Sequence, residues 1–197
     1  RPECCSHFDN RITDKSQELI QHAGRTGGDH QAAKKRYEDG MATAFAKARD
    51  ALKENGRLVI VFAHKQPDAW ETLASSIVRA GFAVDASWPI ETEMPNKAAG
   101  GARLASSVWL VCRRRPATAR PGWDNNVLEE MKANIAVKLR EFWDAGIRGP
   151  DFVWAATGPA LEAYSKHPVV RKANEPNETM GVGEFLNHVR RMVVDYI

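Results

Sequence analysis

Six consecutive apolar residues, Leu58-Val59-Ile60-Val61-Phe62-Ala63, framed by Gly56 and Pro67, constrain the fold more than any other stretch. A run that is apolar at every position, with no polar alternation, suits a strand buried on both faces. The segments around it extend the pattern. Asp68 is placed to cap a following helix, with Glu71 at the capping-box position. That helix carries Trp70, Leu73, Ile77 and Val78 on one side and ends at Gly81. Phe82 to Ile90 predicts a second strand, with Val84, Ala86 and Trp88 alternating and Pro89 near its end. Glu91 to Arg103 is a Gly- and Ala-rich loop, and Leu104 to Cys112 predicts a third strand closing in Arg113-Arg114-Arg115-Pro116. Strand-helix-strand implies a right-handed crossover in a parallel sheet. The last two strands are joined without a helix, so the parallel sheet is expected to end in an antiparallel hairpin.

Helices flank this unit. Residues 1–30 are polar and irregular, with Thr13 or Asp14 expected to cap a short helix through Ile20 before a loop containing Gly24, Gly27 and Gly28. From Gln31 to Asn55, Tyr37, Met41, Phe45, Ala48 and Leu52 recur at helical spacing and make one apolar stripe. The stretch 116–123 has linker composition. Beyond it the texture is helical. Asp124 is expected to cap a helix with Val127, Leu128, Met131, Ile135, Leu139 and Phe142 on one face, closed by Gly146. A second apolar helix from Asp151 is expected to break at Gly158-Pro159 and resume through Tyr164. The last helix presents Phe185, Leu186, Val189, Met192, Val193 and Tyr196.

The chain has 197 residues, 43% hydrophobic and 27% charged, with a net charge of +3. That is the composition of a soluble globular protein with a sizeable core. The mild basicity permits contact with nucleic acid without arguing for it. Adjacent Cys4 and Cys5 lack the spacer of a zinc knuckle, and Cys112 sits in an apolar run, so neither a disulfide framework nor a metal site is expected. A reducing cytoplasm is the expected compartment, since no signal peptide or membrane-length apolar stretch is visible. The chain starts at Arg1 without Met and stops at Ile197 inside an expected helix; it is expected to be a fragment.

Several strings together resemble one family. Gly56 to Lys65 (GRLVIVFAHK), Ala69-Trp70-Glu71, Ala80-Gly81-Phe82, Ser87 to Glu93 (SWPIETE) and Leu104 to Arg115 resemble the large bacterial adenine-specific DNA methylases associated with phage defence. Gly158 to Ser165 (GPALEAYS) is similar to their C-terminal helical region. The resemblance runs from about residue 30 to the end and implies an α/β fold: the C-terminal half of a Rossmann-like class I methyltransferase sheet, followed by a helical extension. It divides the chain into an irregular segment 1–30, a partial methyltransferase domain 31–115, a linker 116–123 and a helical extension 124–197. It also implies transfer of a methyl group from S-adenosylmethionine to the exocyclic amine of adenine.

Two motifs of that family are missing. There is no Pro-Pro pair, so the catalytic Pro-Pro-aromatic string is absent. The Gly181-Val182-Gly183 string follows a polar turn, not a buried strand, so it does not read as a cofactor loop. The chain alone is therefore expected to bind no S-adenosylmethionine and to have no catalytic residues. Its expected partners are DNA and either the missing N-terminal part of the enzyme or a partner subunit, with self-association as a further outcome of an exposed sheet edge. A non-catalytic DNA- or partner-binding module derived from a methyltransferase is the alternative.

By resemblance, Phe62, Ala63 and His64 end the fifth strand of the fold, while Trp88, Thr92 and Glu93 open the hairpin loop on the side where a flipped base enters. His64 sits where ligands bind open α/β sheets, and equally suits a structural hydrogen bond. Trp88 suits either base stacking or core. Glu91 and Glu93 suit solvent or pairing with Arg103. Lys65, Arg103 and Arg113 to Arg115, with Arg120 beyond, are candidates for a phosphate backbone, although a charged strand exit is as common. Trp70 and Trp109 read as core anchors.

Overall fold

A computed structural model describes residues 18–91, 106–148 and 150–196. The fold is mixed α/β. In chain order it comprises a 3-10 turn (Ala23–Thr26), α1 (His30–Ala51), β1 (Leu58–Phe62), α2 (Pro67–Arg79), β2 (Phe82–Glu91), β3 (Ser106–Arg114), β4 (Gly122–Trp123), α3 (Asp124–Asp144), α4 (Pro150–Ser165), β5 (Val170–Arg171) and α5 (Val182–Tyr196). The chain divides into two compact units, Arg1–Met41 and Ala42–Ile197.

The termini of these elements follow local chemistry. Asp29 Oδ1 accepts hydrogen bonds from the amides of Gln31 and Ala32, at 2.8 and 3.0 Å, and so starts α1. The α1 stripe is only half-buried; Ala33 alone in this helix is fully buried. The capping box expected at Asp68 and Glu71 does not form. Pro67 already occupies the first turn of α2, because its fixed φ suits that position. Asp68 lies inside the helix, where its charge still favours the N-terminus. The short helix expected from residue 13 falls largely outside the described residues, and 18–22 are not helical.

The main sheet has three strands in the order β1-β3-β2, and both pairings are antiparallel. This corrects the expected parallel sheet. β1 and β2 run in the same direction with α2 between them, but they never pair, because the returning strand β3 lies between them. The expected antiparallel hairpin is present, and β3 extends to Arg114 because Arg113 and Arg114 stay in register with Ala83 and Phe82. The parallel pairing that does occur is between the two-residue strands β4 and β5.

Register sorts the sheet into two faces. Leu58, Cys112 and Val84 lie side by side, as do Ile60, Leu110 and Ser87, and then Phe62, Val108 and Pro89. Helices α2 and α4 cover this face: Trp70 of α2 meets Phe62 edge-on at 4.9 Å between ring centroids and stacks on Trp154 of α4 at 5.6 Å. Val59, Val111 and Ala86, with Val61, Trp109 and Trp88, make the opposite face. There β1 departs from the expectation of burial on both sides: Val59 is 49% and Val61 52% exposed.

The helices after 116–123 are not set apart from the sheet. α4 lies against β2 and β3, α3 and α5 pack on α4, and the core runs continuously through Phe82, Leu110, Met131, Leu139, Phe152, Leu161 and Phe185. α4 is also unbroken. Pro159 sits inside it, where the packing of an apolar helix against two neighbours outweighs the loss of one intrahelical hydrogen bond. Gly158 makes this crossing possible: a Cβ there would lie 2.0 Å from Ser87 Oγ and 2.3 Å from Ser87 Cβ.

Candidate functional site

At the carboxyl end of β1, predicted residues meet others in a cleft. Phe62, Ala63 and His64 form one wall, Trp70 and Trp154 another, and Pro89, Val108 and Asp151 complete the lining. The position follows from the topology. The chain leaves β1, turns at His64 and enters α2, while the first turn of α4 reaches the same point from the covered face. His64 shapes that turn: its Nδ1 accepts the amide of Gln66 at 3.0 Å, and its carbonyl accepts the Trp70 indole N–H at 2.9 Å. Nδ1 as an acceptor leaves the proton of the neutral ring on Nε2. The ring also lies near-parallel to Phe62, with centroids 6.2 Å apart.

The cleft is small. Its cavity is about 10 Å³, room for roughly one water molecule. Its lining is aromatic with a single carboxylate, Asp151, and contains no hydroxyl or thiol nucleophile set against a base. Such a site can stack a flat ring once its side chains part, and can accept a hydrogen bond at the ring edge. Among the described residues no group of three His, Cys, Asp or Glu residues is placed to hold a metal ion. The described Cys112 is free and buried, and burial pushes its thiol up to about 12.

The remaining predicted residues scatter. Trp88 is on the opposite face, 53% exposed and in register with Trp109. Thr92, Glu93 and Arg103 lie outside the described residues. Lys65 follows His64 at the exposed turn. The three arginines have separate tasks. Arg113 donates from Nε to Asp85 at 2.7 Å, and Arg57 lies 3.3 Å from the same carboxylate. Arg114 donates to the carbonyls of Asp50 and Leu52. Arg115 is half-buried and donates to the carbonyls of Val78, Ser165 and His167. It ties the ends of α2 and α4 together, and burial lowers its pKa from the usual arginine value. Gly183 has a packing role: a Cβ there would lie 2.5 Å from the Glu71 carboxylate, which sits beside the N-terminus of α5.

Asp151 and Trp154 escaped the sequence reading because nothing local connects the first turn of α4 to the end of β1. A second feature of that turn was also missed. The Arg148 guanidinium lies 3.8 Å over the exposed Trp143 ring, and Phe152 meets the same ring edge-on at 5.8 Å. A guanidinium at that distance over an indole is a cation–π pair. The one available signal was a Trp and an Arg flanking a Gly-containing helix end.

Among the described residues no helix is long and apolar enough to cross a membrane. The chain matches no protein-family model, no curated protein and no solved structure.

Proposed function

We propose that this chain supplies the substrate-side part of an S-adenosylmethionine-dependent, adenine-specific DNA methyltransferase and does not transfer methyl groups alone. The observation that carries the reading is the β1-β3-β2 order: two like-directed strands joined by a helix, with the returning strand of a hairpin seated antiparallel between them. That is how a parallel Rossmann-like sheet ends in an antiparallel hairpin, and it puts the aromatic cleft at the carboxyl end of a strand, where open α/β sheets bind ligands. The FAHK and SWPI-TE strings support the same reading. An adenine turned out of its stack would lie against Phe62, His64 and Trp154 after these side chains part, with Asp151 accepting from its exocyclic amine. Unstacking costs a few kcal/mol, and an aromatic platform offsets about 1–3 kcal/mol per base. The missing Pro-Pro-aromatic string and cofactor loop place the methyl transfer itself on another segment or subunit, in a cytoplasmic setting.

The test is an oligonucleotide titration. A single-stranded oligonucleotide with one central adenine is expected to bind more tightly than the same strand with an abasic site there, and Phe62→Ala with His64→Ala is expected to remove the difference. Equal affinity for the two strands sinks the substrate-side role. Calorimetry with S-adenosylmethionine is expected to give no binding heat; methyl transfer by the chain alone overturns the division of labour. The uncovered face around Val59, Val61 and Trp88 favours a second reading, a non-catalytic module that binds DNA or a partner. A steep loss of DNA affinity with salt, without preference for adenine, selects that reading.

A further inference from the structure

The aromatic cleft at the end of β1 carries two side chains of opposite hydrogen-bonding sense, His64 from the turn after β1 and Asp151 from the first turn of α4. The backbone fixes what His64 can offer. An amide N–H only donates, so the Gln66 N–H, 3.0 Å from Nδ1, requires that nitrogen to accept. In the neutral ring the proton then sits on Nε2, on the edge turned away from Gln66. The turn that carries the ring is itself anchored, because the His64 carbonyl accepts the indole N–H of Trp70, which is 1% exposed. Asp151, when ionised, has acceptors only. The cleft thus presents one fixed donor and one fixed acceptor.

We propose that His64 is the residue by which this cleft selects its base: Nε2–H donates to the ring nitrogen beside the exocyclic amine, while Asp151 accepts from the amine. The role rests on the substrate-side reading and supplies its basis of selection. Phe62 and Trp154 then take the faces of the base, and His64 takes its edge. In adenine an unprotonated ring nitrogen adjoins the amine, so the edge presents an acceptor beside a donor, and the His64–Asp151 pair complements that order. Guanine, hypoxanthine and thymine present the reverse, a ring N–H beside a carbonyl. Against them N–H meets N–H and carboxylate meets carbonyl. Two polar groups then stay unpaired in an aromatic site, which costs more than a hydrogen bond gains. Cytosine shares the adenine order, so the pair separates adenine and cytosine from the other bases and leaves those two to be separated by ring size. The opposite tautomer of His64 has a lone pair at Nε2 and loses the selection; the Gln66 amide prevents it.

Fluorescence anisotropy with single-stranded oligonucleotides tests the role, the central base being adenine, 1-deazaadenine, hypoxanthine or absent. 1-Deazaadenine keeps the ring shape and the amine but has C–H in place of the ring nitrogen. The wild-type chain is expected to bind the 1-deazaadenine strand roughly three- to tenfold more weakly than the adenine strand, and the hypoxanthine strand more weakly still. His64→Phe keeps a flat ring at an exposed position, so the fold survives, as circular dichroism checks. It is expected to bind the adenine and 1-deazaadenine strands equally, and both more tightly than the abasic strand. His64→Gln, whose side-chain amide can donate, is expected to restore part of the difference. Nitrogen-15 NMR of the neutral wild-type ring is expected to show the proton on Nε2. A proton on Nδ1 overturns the proposal, as does a wild-type chain that prefers adenine to the abasic site but does not distinguish 1-deazaadenine; both leave the substrate-side reading standing. Equal binding of the adenine and abasic strands sinks that reading itself, and the His64 role with it.

Discussion

One face of the three-stranded sheet leaves no room for a single methyl group, while the other leaves a tryptophan half in solvent. On the covered face, α4 crosses β2 so closely that residue 158 has no space for a side chain, and Trp70, Phe62 and Trp154 interlock beside it. On the open face, Val59, Val61, Trp88 and Ile90 are between 39% and 53% exposed. Both faces are apolar in sequence, so hydrophobicity alone does not separate them. The difference lies in what the rest of the chain delivers to each. α2 and α4 both come to the covered face, which concentrates stability there, while among the described residues Val59, Val61 and Trp88 of the opposite face stay about half exposed.

Four measurements can break or sharpen that contrast. The largest effect is expected from Trp70→Ala. It empties the junction of β1, α2 and α4, where the ring is 1% exposed, and should cost about 3–5 kcal/mol in denaturant unfolding; a loss under about 1 kcal/mol means the covered face is not tightly packed. Gly158→Ala comes next, at about 1–3 kcal/mol from overpacking against Ser87. Ser87→Gly in the same chain should recover most of it, because the next neighbour, Leu110 Cδ2, is 3.5 Å away. A double-mutant cycle with no coupling rejects the close crossing.

Alkaline titration gives a smaller effect. Burial raises the Cys112 thiol from 9.0 to about 12, and burial with the nearby Glu184 raises the Tyr164 hydroxyl from 10.0 to about 12. Both groups are neutral when protonated, and folding favours that form. Their contribution is therefore fully present below pH 9 and is lost as pH rises toward 12. Cys112→Ala should move the onset from near pH 9 to near pH 10; an unchanged onset means the thiol is not held in an apolar site. The smallest effect belongs to the open face. Trp88→Ala should change stability by no more than about 0.5 kcal/mol, and a loss comparable to Trp70→Ala would erase the distinction between the faces.

The cleft divides in the same way between what was readable and what was not. Phe62, Ala63 and His64 were recognisable as the carboxyl end of a buried-type strand, since that position is defined by one local run and the turn after it. Trp154 and Asp151 were not, because their helix reaches the cleft only through the fold. Trp88 shows the converse. Alternation placed it on a strand correctly, but one face of a strand looks like the other until something packs on it. Arg113, Arg114 and Arg115 read as one basic run, and yet each reaches a different carboxylate or set of carbonyls, because successive residues of a strand point to opposite sides.

The sequence by itself determined where β1, β2, α3 and α5 run, but not the two-residue strands β4 and β5 or the continuity of α4. The β1 run, the stripe of α3 and the stripe of α5 were all in place, because hydrophobic period is set by a residue's near neighbours along the chain. Tertiary structure decided the rest: that β3 enters between β1 and β2, that α4 continues through Pro159, and that among the described residues β1 pairs on one edge only and keeps one side half exposed. Those outcomes depend on contacts between residues far apart in the chain. Their free energy is shared among many side chains at once, and no local pattern records it.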